Sequence, residues 1–176
     1  MSRPLRLLAA AALAAASAFA LPAAASAAPT STTFAVTGFE YAFTSTVGNF
    51  AGSATGNAGD RGVWNASVEH DPLGSTPPIY VTGGTFQMAT RSPTGALDFV
   101  TGTFVNQGGT ITTIDPGANC TNQRYLVTGT LENVRTSTTV GGTGTFAVTL
   151  THHRVRFFGR CITYSATVVG AVGFTY

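Results

Sequence analysis

From Thr33 to the last residue, apolar and polar side chains alternate in short runs with the period of two that an extended strand imposes. Trp64, Ala66 and Val68 share one face of a strand begun at Gly62, with Asn65, Ser67 and Glu69 on the other. Tyr125, Val127 and Leu131 repeat the pattern against Arg124, Thr128, Thr130 and Glu132, and Phe146, Val148 and Leu150 repeat it again. No stretch holds apolar residues at helical spacing for three turns. Turn-forming residues punctuate the runs at Asn57–Asp60, Ser92–Gly95, Asn106–Gly109 and Asp115–Gly117. The pattern predicts an all-β fold, a single antiparallel β-barrel of about eight strands, with a β-sandwich as the alternative.

Two places in the pattern carry more detail. Phe34 and Val36 have one parity, and Phe39, Tyr41 and Phe43 the other, which predicts a change of pleat at a glycine bulge near Thr37-Gly38. Val168, Gly170, Val172, Phe174 and Tyr176 keep one parity to the end of the chain. That suits an ordinary closing strand whose aromatics fill a core; an outer-membrane barrel is the alternative.

The first residues read differently. Arg3 and Arg6 precede an apolar run from Leu7 to Leu21 and an A-x-A site at Ala25-Ser26-Ala27, the layout of a secretory signal. The expected organisation is therefore a signal peptide over residues 1–27 and one domain over 28–176, secreted, extracellular or held in the cell envelope. The apolar run is short for a membrane span, and no second one follows.

Export changes the charge argument. Losing Arg3 and Arg6 takes the formal net charge from +2 to about zero, which removes the clustered cation that binding a nucleic acid would need. Only 9% of residues are charged, so the exterior is built from Thr, Ser, Asn and Gly. Such a surface suits a small ligand, a neutral cell-surface or polysaccharide component, or self-association as partner, with no contact to membrane expected after cleavage. Cys120 and Cys161 are the two cysteines; in an oxidising space they are expected to pair. Closing that loop stabilises by roughly 3 to 4 kcal/mol in the chain-entropy account.

Candidate chemistry concentrates at Thr151-His152-His153-Arg154-Val155-Arg156. On a strand, His152, Arg154 and Arg156 share the parity of Phe146, Val148 and Leu150. Either a bulge near His152-His153 turns the arginines to solvent, or all three side chains line a polar cavity and hold an anionic ligand. His152, Arg154 and Arg156 are accordingly the ligand-binding candidates. Adjacent histidines point to opposite faces, and His70, beside Glu69 and Asp71, is distant in sequence, so no metal and no other cofactor is expected. No Gly-x-Ser-x-Gly elbow is present, and no catalytic residue is assigned, although Glu40, Glu69 and Glu132 would suit glycoside chemistry if a barrel brought them together. Asn65-Ala66-Ser67 and Asn119-Cys120-Thr121 match the glycan acceptor pattern.

Gly141-Gly142-Thr143-Gly144-Thr145-Phe146 resembles the Gly-Gly-Thr-Gly-x-Phe segment of the allene-oxide-cyclase and dirigent-type barrels. The resemblance covers six residues and implies a small eight-stranded antiparallel barrel with an apolar cavity, without implying either family's reaction. The expected function is non-enzymatic binding of a small ligand or neutral surface. The alternatives are a small barrel enzyme with a His/Arg-lined cavity, and a self-associating structural protein.

Overall fold

A computed structural model describes residues 30–176, so the expected signal peptide lies outside the described residues. Eight strands run up and down around one closed barrel: β1 (Ser31–Phe43), β2 (Val47–Gly56), β3 (Arg61–His70), β4 (Ile79–Arg91), β5 (Leu97–Asp115), β6 (Gln123–Arg135), β7 (Val140–Phe157) and β8 (Arg160–Thr175). Each strand pairs antiparallel with its sequence neighbour, and β8 returns to β1 with Ser31 opposite Thr175. Closure leaves no edge along the wall. The other element is a turn of 3-10 helix, Ala118–Cys120, between β5 and β6.

The predicted alternation decides which side chains fill the barrel. Trp64, Ala66, Tyr125, Val127, Leu131 and Leu150 are buried, and so are Val168, Val172 and Phe174 of the closing strand. Threonines from the same strands face outward. The lumen is therefore apolar and the outer face mixed, its hydroxyls interspersed with exposed Val63, Leu126 and Val169, whereas a water-filled membrane barrel turns polar side chains inward.

The change of pleat falls elsewhere than expected. β1 keeps register with β8 without a break from Ser31 to Glu40, and its irregularity against β2 lies between Glu40 and Ala42. Gly38 serves a different purpose. A Cβ there would sit 2.6 Å from Cζ2 of Trp64, so the glycine makes room for the indole, which donates from Nε1 to the carbonyls of Thr37 and Ser53 at 3.2 and 3.0 Å. The inward series thus continues Phe34, Val36, Gly38, Glu40, while Phe39 and Tyr41 face outward. Past the extra residue Tyr41, Phe43 turns back toward the lumen.

Asn106–Gly109 is likewise not a turn. It lies inside the long strand β5 as a bulge, with the register against β6 jumping between Phe104 and Gly109 and Gln107 at φ 57°. The turns at residues 57–60 and 92–96 occur where the sequence places them.

The two ends of the barrel differ. At one end lie both termini and the turns β2–β3, β4–β5 and β6–β7; there Phe34, Phe86 and Phe174 pack with ring centroids 6.1 and 5.8 Å apart. At the other end lie turn β1–β2, the loops β3–β4 and β5–β6, and a β7–β8 hairpin that extends past its neighbours. Cys120 and Cys161 are bridged, with Cα atoms 5.5 Å apart, tying that hairpin to the β5–β6 loop close to its tip, since Cys161 pairs with Arg156 next to the closing pair Phe157 and Arg160.

Candidate functional site

The lumen is filled at the first end and hollow toward the second, where a cavity of about 110 Å³ opens between turn β1–β2 and loop β3–β4. Most of its wall is apolar, including Phe50, Trp64, Ala66, Val68, Val148 and Val168. Phe43 and Leu73 stand at the lip. The polar side chains are few and grouped at the mouth: Glu40, His70 and His152, with Thr44 in the adjoining turn.

Parity explains each position. Glu40 follows Phe34 and Val36 on β1, His70 follows Trp64, Ala66 and Val68 on β3, and His152 follows Val148 and Leu150 on β7. His70 and His152 are the last residues of their strands to line the cavity, and Glu40 is the last on β1 before its irregularity. Gly48 of β2 makes the space for the acid, since a Cβ there would come within 2.7 Å of Oε1 of Glu40.

Glu40 and His152 form a buried dyad. Their side chains are only 8% and 14% exposed, and Oε2 lies 3.7 Å from Nε2, too far for a direct hydrogen bond. Burial in the apolar wall pushes the Glu40 carboxyl up to about 7. The same burial, helped by the positive charge of Arg154 and by His153 and His70, pushes the His152 imidazole below its ordinary value. Both groups are therefore held toward their neutral forms. Nε2 of His152 is buried without any hydrogen-bond partner, and its ring meets Tyr125 edge-on at 5.3 Å. His70 is anchored by Nδ1 to the carbonyl oxygen of Asp71 at 2.7 Å.

A second opening adjoins the dyad. Pairing of β1 with β8 stops at Glu40 opposite Ala166, and beyond it Tyr41 to Phe43 part from Thr163 to Ser165 to leave a groove in the wall with Glu40 at its base.

The histidine–arginine stripe of β7 divides. His152 lines the cavity, whereas neither Arg154 nor Arg156 does. The barrel ends at His152, so the residues that keep its parity no longer have a lumen to enter. Arg154 reaches the β5–β6 loop, donating from Nη1 to the Gly117 carbonyl at 3.1 Å, and its backbone N–H meets Oδ1 of Asn122 at 3.2 Å. Arg156 is exposed on the projecting hairpin. A register shift does occur between His153 and Arg154, but the extra residue, Tyr164, is on β8.

The acids considered together on sequence grounds stay apart. Glu69 is exposed on the outer face of β3 and Glu132 on that of β6, so only Glu40 enters the lumen. Among the described residues no group of three or more His, Cys, Asp or Glu is placed to hold a metal ion. Asn65 and Asn119 are both exposed. Sequence reasoning missed Glu40 as a partner of His152, though its parity with Phe34 and Val36 carried the information.

No protein-family model matches this chain, and neither the curated proteins nor the solved structures contain a significant match.

Proposed function

We propose that this protein is an exported binding protein for a small, mainly apolar molecule carrying one uncharged hydrogen-bonding group, such as a hydroxyl or a carbonyl. The observation that carries this reading is the unpartnered Nε2 of His152 facing Glu40 across 3.7 Å at the mouth of an apolar cavity. A buried polar atom without a partner costs free energy, and a ligand oxygen placed between the two groups removes that cost. A hydroxyl there donates to Nε2 and accepts from the protonated carboxyl, while the hydrocarbon part displaces nothing polar from the wall. An anionic ligand is disfavoured, because the arginines that would neutralise it lie outside the lumen. The barrel plan with an apolar lumen is also the part of the allene-oxide-cyclase and dirigent resemblance that supports binding.

The lone tryptophan, Trp64, lines the cavity and reports its filling directly. Titrating the mature chain with a medium-chain alcohol should quench or shift its emission saturably, more strongly than the matching alkane. Ala66→Leu, which fills the lumen, should abolish the response. The reading fails if no neutral apolar probe gives a saturable change in the wild-type protein.

A second reading has one observation in its favour: a carboxyl with its pKa near 7 beside an imidazole is poised to exchange a proton with a bound molecule. Glu40 would then be the acid of a small barrel enzyme, and chemical change of a bound alcohol or ketone, lost in Glu40→Gln, would separate the two.

A further inference from the structure

The β7–β8 hairpin is the part of the molecule that the cavity does not explain. From His152 it runs roughly 16 Å beyond the barrel mouth at about 3.3 Å per residue. Phe157 pairs with Arg160, leaving a two-residue turn of Phe158 and Gly159 with φ 44° and 76°. Two positive φ values are what a tight type I′ turn requires, and Asn or Gly is its usual first residue. A bulky aromatic pays a steric cost there. Phe158 nevertheless occupies the position, 90% exposed, with the ring of Phe157, itself 57% exposed, 4.4 Å away.

Apolar groups continue around this end. Val155, Ile162 and Tyr164 on the hairpin and Phe43 on the lip are exposed. At the tip itself the charge has one sign: Arg156 and Arg160 flank it and form no ion pair among the described residues, while Glu69 and Asp71 lie at the end of β3. The carboxylate at the start of the neighbouring loop, Asp115, is engaged by the Gly117 N–H at 2.9 Å.

We propose that this hairpin is a membrane-docking tip that inserts Phe157 and Phe158 into the interfacial zone of an anionic lipid surface while Arg156 and Arg160 bind the headgroups. Aromatic rings flanked by arginine suit that zone, where the rings reach the acyl boundary and the guanidinium groups stay among phosphates. Charge and shape favour lipid over a second copy of the chain, since a symmetric tip-to-tip contact brings Arg156 and Arg160 against their own counterparts and a narrow hairpin offers little flat surface. The disulfide, one residue pair below the pair that closes the turn, braces the tip against the β5–β6 loop. This departs from the expectation that the exported chain avoids membranes, and it does not depend on what the cavity holds.

Vesicle co-sedimentation of the mature, oxidised protein tests it. Wild type should partition onto mixed phosphatidylcholine/phosphatidylglycerol vesicles and much less onto phosphatidylcholine alone. The pair Phe157→Thr and Phe158→Asn, which gives the turn a residue it accepts and so preserves the fold, should lower partitioning at least tenfold. Arg156→Gln with Arg160→Gln should lower it about fivefold per arginine. Absence of wild-type binding to the mixed vesicles, equal binding to both compositions, or an unchanged aromatic variant overturns the proposal. So does a wild-type dimer in sedimentation velocity that the aromatic variant converts to monomer, because the tip is then covered by a second copy.

Discussion

The two halves of one barrel use the same alternation of side chains and reach opposite results. In the half holding the termini, Phe34, Phe86, Met88 and Phe174 meet across the axis and leave no room. In the half toward the hairpin, the inward positions carry Ala66, Val68, Val148 and Val168 with Gly48, and the strands end on Glu40, His70 and His152. Summed side-chain volume, rather than any change of backbone plan, separates a solid interior from a hollow one. The first half carries the close aromatic packing, and the second sets ionisable groups against an apolar wall, where burial holds Glu40 and His152 toward their neutral forms.

Truncating one aromatic in the filled interior and one on the cavity wall is the strongest way to break that contrast. Phe174→Ala should destabilise by about 4 kcal/mol, since its neighbours cannot collapse into the space. Phe146→Ala, which merely enlarges an existing cavity, should cost roughly half as much. Chemical denaturation measures both, and equal costs would mean that the hollow half is as tightly packed as the other.

Replacing Cys120 and Cys161 together by Ser should cost roughly 3 to 4 kcal/mol in global stability. The loss of protection in hydrogen exchange should appear first in the β5–β6 loop and the hairpin, leaving β1–β4 near the termini unchanged.

The pH response sharpens the comparison further. Glu40 in the folded protein titrates near 7, above its ordinary 4.5, so the native state keeps a proton that the unfolded chain releases between those values. Stability from this group therefore falls as pH rises from 4.5 to 7 and is flat above. His152 acts in the opposite direction: its pKa is lowered, so the unfolded chain takes up a proton that the native state refuses, and stability rises with pH up to about 6.5. Glu40→Gln removes the fall and leaves the rise. Relative to wild type it should gain about 3 kcal/mol between pH 4.5 and pH 8, read as a change in the difference between the two denaturation midpoints.

The smallest effect expected is a gain. Phe158→Asn relieves a positive φ at an exposed ring and should stabilise by about 1 kcal/mol. A loss instead would show that the ring packs on the protein.

Much of the first half could be read from the sequence. Leu131 and Phe174 fall on strict alternations between clear turns, as do Trp64 and Tyr125 nearer the mouth, and the two cysteines have one partner each. The second half was harder to read for a physical reason. Phe39 and Tyr41 are large apolar residues that face outward, and they draw attention away from the even-numbered series that carries Glu40 inward. The Gly-Gly pair at 108–109 has the composition of a turn but relieves a bulge within a strand. His152, Arg154 and Arg156 share one parity along the sequence, but parity does not say where a barrel ends, and only His152 reaches the cavity.

The seam between first and last strands has a topological consequence. Thr30 and Tyr176 exchange two backbone hydrogen bonds, 2.8 and 3.1 Å long, so the described chain finishes beside the point where it starts. Every joint in the ring is then equivalent to every other except that one lacks a connecting loop. A gene reordered to join those ends by a short linker and to begin instead within residues 92–96 would encode the same ring of neighbours, and its product should fold to the same cylinder.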